Sequence, residues 1–165
     1  MIAANIYRLL DRYVSVRDIG LMLFDGFTYL IYSPAGRLKD SYVPDVSFLS
    51  AQNIPAGWEV EKPHPGTPDV AVEIMSPGDD AELLLTKIRT YLEKGTQQVW
   101  VIYPRLREVH QYLRSEPARI RLYRGDESVD AEALFPGIEG LTLPAIFKLP
   151  AWVQAQQAAP PADPA

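Results

Sequence analysis

Residues 67–95 read TPDVAVEIMSPGDDAELLLTKIRTYLEKG, a strand, a turn and a helix with charges set where apolar residues would be expected. In an extended chain successive side chains alternate, so Val70, Val72 and Ile74 line one face while Asp69, Ala71, Glu73 and Met75 line the other. The first face reads as core. The second carries two acids with a small alanine between them, which leaves room for something to approach. Ser76-Pro77-Gly78 ends the strand, and Asp79 or Asp80 can cap the helix behind it by accepting bonds from its free N–H groups. Gly95 is a good stop. At about 100° per residue, Leu83, Leu84, Ile88, Tyr91 and Leu92 cover one side of the helix, and Thr86, Arg89 and Glu93 the other. Lys87 falls inside the apolar arc. There it must either snorkel past its neighbours or meet negative charge, and the acids of the preceding strand are nearest by chain order.

Asp69 and Glu73 are separated by about 13 Å of strand, too far to share one ion whose oxygen ligands sit at about 2 Å. Glu73 therefore needs a partner from another strand. Asp45, in SYVPDVSFLS, fits: Pro44 precedes it, and Val46 and Phe48 continue an alternating run. One carboxylate from each of two adjacent strands can hold magnesium while leaving positions open for water and phosphate oxygens. Each residue alone has a plainer reading: Glu73 as a strand-end acid, Asp45 as turn chemistry, Lys87 as a snorkelling side chain. The three together are harder to dismiss.

Around this centre the elements follow from pattern. Ile6, Leu9, Leu10, Tyr13 and Val14 share one face of a helix predicted over residues 5–15. Two apolar runs, residues 21–24 and 27–32, flank Asp25-Gly26, a pair suited to a tight hairpin turn. A strand is expected over residues 42–49. Residues 53–68 hold four prolines and two glycines and read as a loop. Residues 98–103 are apolar on both faces, as in a central strand. Residues 109–113 and 120–123 read as two more strands joined by a polar turn. The tail, residues 151–165, is expected to be largely disordered, with one domain over residues 1–150.

Composition narrows the function classes. Hydrophobic residues at 47% and charged residues at 22% are those of a globular chain. No stretch approaches the roughly 18 to 20 consecutive apolar residues that cross a bilayer, so the expected setting is cytoplasmic, with no membrane partner. The absence of cysteine removes disulfides, thiolate metal sites and cysteine nucleophiles together. Two histidines, His64 and His110, lie in a loop and a separate strand and give no credible base for a serine hydrolase. The net charge of −5 argues against nonspecific coating of nucleic acid, yet a span with Arg105, Arg107, Arg114, Arg119, Arg121 and Arg124 reverses that sign locally. Its plainer reading is a solvated strand face.

The ordered set of PDV at residues 44–46, TPDVAVEIMSPGDD, Lys87-x-x-x-Tyr91, G-x-x-x-V-W-V-I-x-P at residues 95–104 and the closing PGIEGLTLPAIF resembles the Uma-two family. That family is grouped with restriction endonucleases of the PD-(D/E)xK nuclease superfamily. The resemblance covers residues 5–147. It implies an α/β fold, with a restriction-endonuclease-like core whose central mixed β-sheet is flanked by helices. It also implies a divalent-metal site, Mg2+ or Mn2+, on Asp45 and Glu73. The superfamily pattern places lysine two residues after the second acid, where this chain has Met75, so the role passes to Lys87 on the following helix. The family's N-terminal segment, with a further glutamate, is read as missing, and Tyr103 stands where the family commonly has aspartate.

The expected activity is metal-dependent hydrolysis of phosphodiester bonds, with DNA as the nucleic acid, Asp45, Glu73 and Lys87 as catalytic residues, and Asp69 and Tyr91 in supporting or positioning roles. Arg105, Arg107 and Arg114 are the candidate nucleic-acid contacts. Two other readings stand beside it: a catalytically silent nuclease-fold module that binds nucleic acid or protein, and an assembly subunit, a homodimer, whose hairpin pairs with its copy.

Overall fold

The computed structural model describes residues 1–158 of the chain. The first helix, α1, spans Ile2–Arg17, longer than its apolar spacing requires, and buries Ile6, Leu10, Tyr13 and Val14. A main sheet of six strands runs in the order β1 (Gly20–Phe24), β4 (Val46–Ser50), β6 (Val70–Ile74), β7 (Gln98–Tyr103), β8 (Glu108–Leu113), β9 (Ile120–Tyr123). Only β6 and β7 run parallel; every other neighbouring pair in this sheet is antiparallel. The parallel pair needs a crossover, and α2 (Ala81–Lys94) supplies it. A smaller sheet orders β3 (Leu38–Tyr42), β2 (Tyr29–Tyr32) and β5 (His64–Pro65).

The two faces of the main sheet have separate cores. Val70, Val72, Trp100 and Ile102 meet α1 and the C-terminal segment containing Phe135, Leu143 and Phe147, with α3 at Leu143–Ile146. Ala71, Val99 and Val101 face Ile88 and Tyr91 of α2 on the other side. Apolar residues on both faces of β6 and β7 are what a sheet with helices on either side requires. The mixed α/β architecture, with a central mixed sheet flanked by helices, is the fold the sequence implied.

Three local expectations are corrected. Asp25 and Gly26 do take positive φ angles of 58° and 98°, but they do not close a hairpin. β1 pairs with β4, from Gly20↔Ser50 to Phe24↔Val46, while β2 leaves for the smaller sheet, where Phe27 packs edge-on to Tyr29 and Trp58. The single strand expected over residues 42–49 is two strands in two sheets, parted at Val43-Pro44-Asp45, where proline has no N–H for a ladder. Leu83 is 70% exposed, because the first turn of α2 does not lie against the buried sheet face; Ile88 and Tyr91 do. In the tail expected to be largely disordered, Ala151–Ala158 form a helix, α4, and residues 159–165 lie outside the described residues.

Candidate active site

The β4–β6 pairing sets the geometry. Its register runs Val46↔Val72, Ser47↔Ala71, Phe48↔Val70, and Asp45 stands immediately before β4, at the end of the pairing where β6 continues to Glu73. Both residues line the same cleft, and the charge of Asp45 acts on Glu73. Asp45 also completes the ladder with its side chain: Oδ2 accepts the Ile74 N–H at 2.7 Å, while the Asp45 N–H donates to Val72 O at 3.0 Å.

α2 brings in the lysine. Asp80 caps the helix, accepting from the Glu82 and Leu83 N–H groups at 2.8 and 3.1 Å, and Asp79 accepts from Ser76 N at 2.6 Å to shape the entering turn. Two turns on, Lys87 Nζ donates to Glu73 Oε2 at 2.7 Å and to Val43 O at 3.3 Å. One turn further, the buried Tyr91 hydroxyl donates to Glu73 Oε1 at 3.2 Å. Lys87 also lies 5.7 and 5.8 Å from the ring centres of Tyr42 and Tyr91, which pack against each other edge to face. Asp45, Glu73 and Lys87 line a single open cleft of about 600 Å³.

Glu73 is the most constrained charge in this cleft. Burial pushes its pKa above the ordinary carboxylate range; the charge and hydrogen bond of Lys87 oppose that push, and the charge of Asp45 adds to it. The Glu73 side chain is 10% exposed and that of Lys87 22%, so the pair is shielded enough to matter. Burial, followed by the charge and hydrogen bond of Glu73, raises the Tyr91 pKa and keeps its phenol a proton donor.

The chemistry of this donor set can be tested against a divalent ion. Among the described residues no group of three or more histidines or acids is placed to hold a metal. Magnesium asks for less than that: one or two carboxylates suffice, and waters and substrate phosphate complete the shell. Asp45 and Glu73 fit that mode. So does the charge balance, since Asp40, Asp79 and Asp80 line the same cleft and Lys87 is its one cationic side chain among the described residues. A phosphate entering here meets net negative charge unless a cation accompanies it.

The remaining predicted residues are placed as follows. Asp69 is buried at the other end of β6, where its carboxylate accepts from Ser50 N and Asn53 Nδ2, both at 2.7 Å; it fixes the end of β4 and does not line the cleft. Tyr91 braces Glu73 by a hydrogen bond as well as packing beside Lys87. The arginines do not make one strip. Arg105 and Arg107 lie at the β7–β8 turn and Arg114 just past the far end of β8, about 20 Å away. Arg107 sits over the Phe147 ring at 5.1 Å, and Arg121 is paired with Glu116 and Asp130 at 2.7 and 2.6 Å. His64 and His110 both lie outside the cleft, the first beneath Trp58 and Tyr29, the second against Tyr103. Sequence reasoning missed Tyr42 and the Val43 carbonyl. Tyr42 ends β3 in the other sheet, so neither local pattern nor chain order signals its approach to Lys87.

Residues 1–145 match the model of the Uma2 family, described as "Putative restriction endonuclease". Among solved structures, the chain is similar to a putative nuclease belonging to DUF820 from Anabaena variabilis, with a TM-score of 0.73 and 22% identity over 88% of this chain and 78% of that one. No curated protein matches.

Proposed function

We propose, from the premise that this chain belongs to the Uma2 family of restriction-endonuclease-like proteins, that it is a divalent-metal-dependent nuclease that hydrolyses phosphodiester bonds, with DNA as its substrate. The observation that carries the reading is the convergence of Asp45, Glu73 and Lys87 on one cleft, with Lys87 Nζ 2.7 Å from Glu73 Oε2.

Asp45 and Glu73 would hold magnesium or manganese, which when bound supplies Lewis-acid polarisation of the phosphate and a more acidic water. Everything else falls to side chains. Lys87 opposes the effect of burial on Glu73 and, with two of its three donors engaged, has one left for a phosphate oxygen. A fixed ammonium there stabilises the charge that develops on phosphorus-bound oxygen as water attacks. Tyr91 holds the other Glu73 oxygen, so the carboxylate does not reorganise during the reaction. Met75, where the superfamily pattern has lysine, carries no charge, and Lys87 reaches the site from α2 instead.

The test is a magnesium and manganese titration against plasmid and single-stranded DNA, comparing wild type with Glu73→Ala and Lys87→Ala. Metal-dependent cleavage lost in both variants supports the assignment. Cleavage that survives both removes it, and a wild type that binds DNA without cutting favours a silent module.

A further inference from the structure

A second hollow, of about 560 Å³, opens beside the acidic cleft, and its walls are apolar where the cleft is charged. Pro77, Tyr103, Pro104 and Leu106 form it, at the carboxyl ends of β6 and β7, the parallel pair of the main sheet. Where two parallel strands end and their following loops part, a crevice forms, and ligands in α/β sheets bind at such ends. Here the loop after β6 turns into α2 and the loop after β7 turns back into β8. The two hollows share Ile74, Met75 and Ser76, so whatever occupies one is within reach of the other.

Leu106 is 64% exposed, an apolar side chain held in solvent beside a charged site. Arg105 lies in the same rim, is exposed, and forms no ion pair among the described residues. Tyr103 is half-buried, packed against the core beneath α2 and 4.5 Å from the His110 ring, and offers the remaining part of its aromatic ring. Half-buried Met75 gives the shared wall a soft thioether. An aromatic ring, proline and leucine faces and an unpaired guanidinium are what a flat, apolar-faced group on a polyanionic chain requires.

We propose that this hollow receives one unstacked nucleobase of the strand whose phosphate lies at Asp45, Glu73 and Lys87, with Arg105 meeting an adjacent phosphate. The proposal rests on the nuclease reading of the neighbouring cleft and sharpens it: the substrate is a single strand, or a duplex locally opened. A base inside an intact duplex is stacked on both sides and reaches such a hollow only after paying for unstacking.

The experiment uses short single-stranded DNA in which each base in turn is replaced by an abasic residue. Binding is followed by fluorescence anisotropy with calcium in place of magnesium, and cleavage is followed separately with magnesium. In the wild type, loss of the base at one position weakens binding about tenfold or more, the scale of one aromatic–base stack. In Leu106→Asp, a substitution at an exposed site that leaves the core intact, that position loses its special sensitivity; Arg105→Ala weakens binding at every position alike. Equal tolerance of abasic sites along the strand would overturn the proposal, as would a sensitive position that persists in Leu106→Asp, or no binding of single strands at all. Plasmid cleavage in any of those cases leaves the nuclease reading standing. Position-dependent binding without cleavage defeats that reading and keeps the base site.

Discussion

Asp45 Oδ2 accepts the backbone N–H of Ile74 at 2.7 Å, so a side chain proposed to hold a metal ion also closes the ladder between β4 and β6. Its other oxygen makes no protein hydrogen bond among the described residues. One carboxylate thus serves structure with one atom and is left with another for chemistry. The two duties separate under substitution. Asp45→Asn retains an acceptor for Ile74 and should unfold in urea within about 1 kcal/mol of wild type, while metal-dependent cleavage falls at least 100-fold. Asp45→Ala should lose the same activity and about 1 kcal/mol of stability besides. An active Asp45→Asn would show that the negative charge is not needed.

Asp69 provides the contrast. It is buried, and its two oxygens accept from Ser50 N and Asn53 Nδ2, so Asp69→Ala strands the buried Ser50 N–H at the end of β4, while the exposed Asn53 side chain can turn to water. A loss of about 1–3 kcal/mol is expected in urea denaturation, the cost of one unsatisfied buried group. Cleavage per folded molecule should change less than about twofold, because the carboxylate does not line the cleft. A large fall in activity at full folding would give Asp69 a role beyond architecture.

How much of this was readable from residues alone depends on how local the cause is. The strand–helix–strand unit from β6 to β7 was legible because each part carries its own period, and a parallel pair fixes the crossover helix between them. Lys87 stood out because a charge in an apolar arc conflicts with its surroundings. Its partner Glu73 followed from chain order. The partner of β1 was not legible: Asp25-Gly26 reports that the chain can turn, not which strand it joins, and the choice of β4 is made by the buried packing of Met22 and Phe48 across the sheet. Tyr42 was hidden for the same reason, being carried to Lys87 by a second sheet. Arg105, Arg107 and Arg114 looked contiguous in sequence, but the length of β8 separates them.

Tyr91→Phe tests the brace on Glu73 without opening a cavity, because only the hydroxyl is removed. The Tyr91 hydrogen bond lowers the Glu73 pKa, so its loss moves that pKa further up. The expected result is a modest fall in cleavage at neutral pH, about threefold to tenfold, and an acid limb of the pH–rate profile shifted toward neutral. A uniform fall with an unmoved limb would mean that the hydroxyl acts only through packing.

The sign of the Glu73 shift also sets a stability prediction that needs no activity. Burial raises the folded-state pKa above the ordinary value, so this group favours the folded state fully below its unfolded pKa, and that contribution is lost as pH rises through the folded pKa. Lys87 is the largest influence opposing the rise. In Lys87→Met the carboxylate is left buried with Tyr91 but without its ammonium, and its pKa moves higher still. Unfolding in urea at about pH 4, where Glu73 is largely protonated in both proteins, should therefore show little difference between Lys87→Met and wild type. By about pH 7 the variant should be less stable by about 2 kcal/mol, short of the cost for a fully buried pair because water still reaches Lys87. Glu73→Gln placed in the Lys87→Met background removes the titrating group and should flatten the dependence. If the gap between Lys87→Met and wild type is the same at both pH values, the ion pair is not what holds Glu73 charged, and the electrostatic role given to Lys87 fails with it.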